Sequence, residues 1–257
     1  MTGPRADAEA GLTATGRPDA PAIVFLHGTR LSRAAWTPQL DALGDEFRAI
    51  ALDLPGHGAR AAERFTLDRA TDVVVAAIRE RAAGGRAVVV GLSLGGYVAM
   101  TLAARSPELI RGLLIAGASA EPAGIRVLAF RTLAAAMARV EQPSLDRLTA
   151  WFFRARYPAA VAEPIVAGGF WSAGGAVALR ALFDERFVPR LAGYGGPVLI
   201  LNGEYDLLFR LSAPTFAAAA KDARRVVLAG ALHLSNLDRP TAFNHVVRDF
   251  ARSAGMA

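Results

Sequence analysis

Ala87-Val88-Val89-Val90-Gly91-Leu92-Ser93-Leu94-Gly95-Gly96 is the stretch on which the reading of this chain turns. Ala87–Val90 is a short apolar run without polar alternation, which predicts a strand covered on both faces. The segment Gly96–Arg105 has helical spacing. Between them lies Gly91-x-Ser93-x-Gly95, a serine on a tight strand-to-helix turn whose crowding leaves no room for a Cβ two residues to either side. Such a turn lifts the Ser93 hydroxyl above the edge of a sheet. The helix that follows aims its N-terminus at the same point and favours negative charge developing there. The five-residue pattern alone is weak; the strand before it and the helix after it make Ser93 a candidate nucleophile.

The same alternation recurs along the chain. Apolar runs at Ile23–Leu26, Phe47–Leu52, Leu113–Ala116, Val198–Leu201 and Arg225–Leu228 predict further strands, and Leu12–Thr15 an edge strand. Helical spacing marks Ala34–Leu43, Thr71–Arg81, Ser212–Ala220 and Pro240–Arg252. Strands alternating with helices point to a parallel α/β sheet. One connection is too long for that scheme. Gly117 to Pro197 spans 81 residues, where a crossover needs only about a dozen. Helical spacing within it at Ile125–Val140, Leu145–Phe153 and Val177–Phe187 predicts an α-helical cap, residues 119–191, inserted into an α/β core of residues 1–118 and 192–257.

Composition narrows the partners. Hydrophobic residues make up 53% of the 257, enough for a sizeable core. The formal charge is +6, but 28 of the 29 basic residues are arginines scattered without a run. A nucleic-acid surface would cluster them, so no nucleic-acid partner is expected. The absence of cysteine excludes a thiol nucleophile and thiolate metal sites. Met1–Pro21 is polar and lacks the apolar core of a signal peptide. The longest uncharged stretch, Ala87–Ala104, carries Gly91, Ser93, Gly95 and Gly96 in its middle and reads as strand, turn and helix, not as a membrane span. A soluble, cytoplasmic protein is the expectation.

A serine nucleophile needs a base, an acid to orient that base, and donors for the oxyanion. His27-Gly28-Thr29 closes the Ile23–Leu26 strand, where the Thr29 N–H can point at a substrate beside the N–H of Leu94. Asp206 follows the Val198–Leu201 strand at the C-terminal sheet edge, where open parallel sheets keep their sites. Glu204 is its local rival and Glu121, after the preceding strand, a topological one. His233 lies in a loop past Arg225–Leu228 and is the candidate base. His245 points off the apolar face formed by Phe243, Val246, Val247 and Phe250 and reads as a solvated helix residue.

Five segments together resemble the α/β-hydrolase superfamily: the His27-Gly28 turn, Asp53-Leu54-Pro55-Gly56-His57-Gly58, the Ser93 turn, Gly203-x-x-Asp206, and His233 ahead of Leu237-Asp238-Arg239-Pro240. They fall in the family's order over residues 22–252. The resemblance implies an eight-stranded, mostly parallel sheet with a Ser93–Asp206–His233 triad under a helical cap. It departs from the pattern at Arg60, where many members carry serine. Serine at 93 separates the chain from the family's haloalkane dehalogenases and epoxide hydrolases, which use aspartate there. The HGGG turn of many lipases and carboxylesterases is missing, as is the Gly/Pro-rich turn common in C–C bond hydrolases. What remains is similar to small bacterial esterases and enol-lactonases.

The resemblance therefore implies hydrolysis of a small-molecule ester or lactone through a Ser93 acyl-enzyme, with no metal or cofactor. Acyl transfer or C–C cleavage by the same residues is the alternative within the class; a non-catalytic small-ligand receptor is the alternative outside it. Trp151, Phe152, Phe170 and Trp171, with Phe153 and Tyr157, are candidate walls of an acyl pocket. Arg30, directly after the oxyanion turn, is a candidate partner for a substrate carboxylate.

Overall fold

Short apolar runs build one seven-stranded sheet in the computed structural model, which describes residues 11–139 and 142–256. The strands are β1 (Leu12–Thr15), β2 (Ala22–Leu26), β3 (Arg48–Leu52), β4 (Ala87–Leu92), β5 (Ile110–Ala116), β6 (Pro197–Gly203) and β7 (Asp222–Leu228). They lie in the order β1-β3-β2-β4-β5-β6-β7, with β1 antiparallel to β3 and every other pair parallel. The central strands β2 and β4 have no exposed residue, as runs without alternation require; β7, on the edge, has four exposed positions. The eight strands implied by the family are seven among the described residues. No further strand fits between β1 and β2, because only residues 16–21 join them.

Each face of the sheet buries one helical layer. The helices Leu67–Arg81 and Leu94–Arg105 pack with one set of strand side chains, and Thr37–Leu43 and Pro240–Ala251 with the other. The helix expected from Thr71 begins four residues earlier, because Thr66 caps it by accepting the Arg69 N–H on its hydroxyl at 3.0 Å.

Between Ala116 and Pro197 the described residues form helices and no strand: Val127–Arg139, Gln142–Arg156, Ala159–Ala167, Ser172–Arg180 and Val188–Gly193. The expected helical run Val177–Phe187 breaks at Arg180. Asp184 takes a left-handed φ of 63°, and the Glu121 carboxylate accepts the N–H groups of Phe187 and Val188 at 2.8–3.0 Å, starting the next helix there. That last helix straddles residue 191. Phe187 and Leu191, completely buried, join the core cluster that includes the Leu94–Arg105 helix. No helix among the described residues is long and apolar enough to cross a membrane.

Candidate active site

The turn after β4 forces Ser93 into φ 51°, ψ −115°, a left-handed backbone that a non-glycine residue adopts only when its surroundings hold it there. Those surroundings are close-packed backbone. A Cβ on Gly91 would run into the carbonyl of Gly95, and one on Gly95 into the carbonyl of Leu26. The Ser93 N–H donates to Ala116 O at 2.7 Å, tying the turn to the end of β5.

The hydroxyl stands 3.0 Å from His233 Nε2, and His233 Nδ1 stands 2.9 Å from Asp206 Oδ2. Three residues from three loops at the C-terminal sheet edge thus form one chain of contacts. The Asp206 side chain is 7% exposed, which keeps water from competing for the imidazole. Gly117 lies against this pair: with φ 56°, a Cβ there would come within 2.9 Å of His233 Cε1 and 3.1 Å of Asp206 Oδ2. The Phe209 ring stacks on the imidazole with centroids 4.9 Å apart.

The rival carboxylates are engaged elsewhere. Glu204 accepts the Gly230 N–H at 2.8 Å, and Glu121 caps the Val188 helix as described. His245 is exposed and lies 3.3 Å from Asp249 on its own helix.

Thr29 lines the cavity beside Ser93 and Leu94 follows the serine in the chain, and among the described residues neither N–H has an acceptor. This loop packs against the serine: a Cβ on Gly28 would sit at ordinary contact distance, 3.4 Å, from Ser93 Cβ. Two buried histidines hold this loop. His57 accepts the Arg30 N–H on Nε2 at 3.3 Å and contacts Pro55 O through Nδ1; His27 accepts the Leu54 N–H on Nε2 at 3.0 Å and contacts Gly28 O through Nδ1. A ring that accepts on one nitrogen and donates on the other is neutral. Burial enforces this, pushing His27 down to about 4 and His57 to about 3.

Ser93 opens into a cavity of about 350 Å³. Its walls are apolar: Phe130, Leu133 and Met137 from Val127–Arg139, Leu179 from Ser172–Arg180, and Leu208, Phe209 and Leu234 from the core loops. None of Trp151, Phe152, Phe170 and Trp171 lines it, which corrects the expectation that they wall the pocket. Trp151 and Phe152 are 66% and 47% exposed, Phe170 is buried with Phe153 and Tyr157, and Trp171 borders a different hollow beside Thr13 and Arg33. Helical spacing shows which residues share a face but not which face meets the serine, so the eye-catching aromatics misled. The usable signal was Phe130, Leu133 and Met137, whose 3- and 4-residue spacing marks a second apolar face.

Arg30 borders the cavity, but its guanidinium serves the inserted helices. Nε donates to Ser172 Oγ at 2.7 Å, Nη2 donates to Thr149 Oγ1 at 3.0 Å and lies 3.7 Å from Asp146 Oδ1, and the group sits over Phe170. Burial lowers the Arg30 pKa from its ordinary value, with Asp146 opposing the shift. Arg60 pairs with Glu63 at 2.7 Å, away from Ser93. No group of three or more His, Asp or Glu side chains among the described residues is placed to hold a metal ion.

The sequence profile of the alpha/beta hydrolase family matches residues 23–246. A pimeloyl-(acyl-carrier protein) methyl ester esterase of Neisseria meningitidis is 31% identical over 263 residues, covering 91% of this chain and 94% of that protein. The 3-oxoadipate enol-lactonase 2 of Acinetobacter baylyi is 25% identical over 241 residues, covering 90% and 89%. Among solved structures, the enol-lactonase from Burkholderia xenovorans LB400 is similar in fold, with a TM-score of 0.78 at 24% identity over 94% of this chain and 95% of that one.

Proposed function

Since this chain belongs to the α/β-hydrolase family, we propose that it is a serine esterase that cleaves carboxylic esters or lactones with an uncharged, apolar acyl group. The observation that carries this reading is the contact chain Ser93 Oγ–His233 Nε2–Asp206 at 3.0 and 2.9 Å, with two unengaged N–H groups beside it. The two relatives compared above are named for an ester and a lactone, and both names describe cleavage of an acyl–oxygen bond.

In this mechanism Ser93 Oγ attacks the carbonyl carbon while its proton passes to His233 Nε2. The carbonyl oxygen becomes an oxyanion that the N–H groups of Thr29 and Leu94 receive, and donors fixed by the fold need no reorganisation. Asp206 holds the imidazole through Nδ1–H and stabilises its protonated form. The tetrahedral species collapses with loss of the alkoxide, which takes the proton from His233. Water then attacks the acyl-enzyme by the same steps in reverse, releasing acid and Ser93.

The substrate class follows from the walls. Eight apolar side chains line the cavity, Ala129 among them, and Arg30, the charged group that borders it outside the Ser93 contact chain, has its Nε and Nη2 occupied. We therefore assign Arg30 to the tie between the oxyanion loop and the inserted helices rather than to a substrate carboxylate. In the same reading residues 119–191 are the cap and the remainder the hydrolase core.

The test is fluorophosphonate labelling together with turnover of p-nitrophenyl esters of graded chain length. Ser93→Ala is expected to abolish labelling and to lower turnover by roughly 10⁶. Normal labelling of that variant, or a wild-type protein inert on every ester, defeats the proposal.

A further inference from the structure

Asp238 stands where the inserted helices meet the loop that carries His233. Its side chain is 2% exposed, and its two carboxylate oxygens face different partners. Oδ2 accepts the N–H of Leu232, the residue directly before His233, at 2.7 Å. Oδ1 accepts from Arg156 Nη2 at 2.6 Å, from Arg156 Nε at 3.1 Å and from the Tyr157 hydroxyl at 2.9 Å. Arg156 ends the Gln142–Arg156 helix, and Tyr157 follows it with its N–H still bonded to Phe153 O.

Loop and helix are therefore bolted together through one buried carboxylate. Hydrogen bonds to an ionised acceptor are roughly twice as strong as neutral ones, and breaking a buried one leaves a charge without its partner. The Leu232 N–H is the last backbone donor before His233, and its acceptor is this side chain rather than a strand or helix. That peptide joins the Cα atoms of Ala231 and Leu232, so fixing it anchors the chain one residue before the Cα from which the imidazole reaches Ser93.

We propose that Asp238 is a positioning residue for the base: it fixes the backbone entering His233 and makes the His233–Ser93 contact depend on the seating of the Gln142–Arg156 helix. This rests on the reading of His233 as the base. The same helix carries Thr149, the partner of Arg30 next to the oxyanion turn. One inserted helix is thus joined to both sides of the serine, to the donor side through Arg30 and to the base side through Asp238.

The test uses the full chain, p-nitrophenyl butyrate and the rate of fluorophosphonate labelling. Asp238→Ala removes both junctions. A displacement of about 1 Å costs on the order of 100-fold, so kcat and labelling rate are expected to fall together by about that factor. KM stays within about twofold, because the cavity is untouched. Asp238→Asn keeps an oxygen for the Leu232 N–H and is expected to restore most of the rate. Tyr157→Phe removes one donor from the helix side only and is expected to lower kcat a few-fold with KM unchanged.

A merely structural Asp238 gives the opposite pattern: a lower Tm, with kcat of the folded protein at the wild-type value. That result overturns the proposal, as does a rise in KM with kcat unchanged. Should Asp238→Ala fail to fold, Tyr157→Phe decides: reduced kcat at constant KM supports the junction, and wild-type kcat rejects it. Ser93→Ala separates the two levels. If that variant still turns over ester, the site reading fails and this proposal with it. If it is silent while Asp238→Ala runs at the wild-type rate, this proposal alone fails.

Discussion

Around Ser93 backbone packs on backbone: β2 and β4 have no exposed residue, and the carbonyls of Leu26 and Gly95 stand where glycine side chains would be. In the helices between Ala116 and Pro197 the arrangement is looser. Leu128, Leu148 and Trp151 are each more than 60% exposed, and several of the ties to the core are polar, through Arg30 and Asp238. Close packing admits one arrangement, so the core can hold reacting groups to a fraction of an ångström. A few side-chain bonds to a helix admit small shifts, which suits a part that shapes a cavity and tolerates changes in its walls. The contrast predicts that core substitutions alter rate and that substitutions at the cavity-facing positions of the inserted helices alter selectivity.

The largest effect belongs to the core. Asp206→Asn leaves the volume unchanged but presents the wrong partner to His233 Nδ1, and kcat is expected to fall by roughly 10⁴ with little change in Tm. Steady-state kinetics and a thermal melt on one preparation check this. If Glu204→Gln produces the loss while Asp206→Asn runs near the wild-type rate, the acid lies elsewhere.

Acid sensitivity is also expected to reside in the core, because His27 and His57 are neutral and buried beside the loop that carries Thr29. Their folded values, about 4 and about 3, lie below the unfolded value of 6.5. Below pH 6.5 the unfolded chain gains protons that the native state refuses, so stability falls with pH until the folded values are reached. At pH 5 each histidine costs about 2 kcal/mol relative to pH 8. Urea midpoints at pH 7.5 and pH 5 should differ accordingly. A flat profile would show that neither ring remains neutral for the reason given.

The smallest effects come from the inserted helices and divide by face. Leu133→Phe adds bulk to the cavity wall and is expected to penalise long acyl chains over short ones by about tenfold in kcat/KM, the scale of one or two methylenes. Trp151→Ala, on the exposed face of the next helix, is expected to leave both esters and stability within about 0.5 kcal/mol. If Trp151→Ala rather than Leu133→Phe changes the chain-length profile, the aromatics wall the site after all.

Which features were legible in the sequence depends on the range of the forces that set them. The Ser93 turn was, because its constraint is steric and spans five residues. The strands were, because burial on both faces leaves uninterrupted apolar runs, although β5 starts three residues before the expected Leu113. The positions of Asp206 and His233 after successive strands followed from the alternation of strand and helix. What tertiary structure decided was the choice among groups that are equivalent locally. Glu121, Glu204 and Asp206 each follow a strand, and only packing with distant segments sends the first to Phe187 and Val188, the second to Gly230 and the third to His233. The same holds for Arg30, whose donors meet Thr149 and Ser172, more than a hundred residues away. Periodicity specifies the faces of a helix, but the orientation of the helix against the sheet is settled by contacts between segments far apart in the chain, and those contacts place Leu133 on the wall of the cavity and leave Trp151 in solvent.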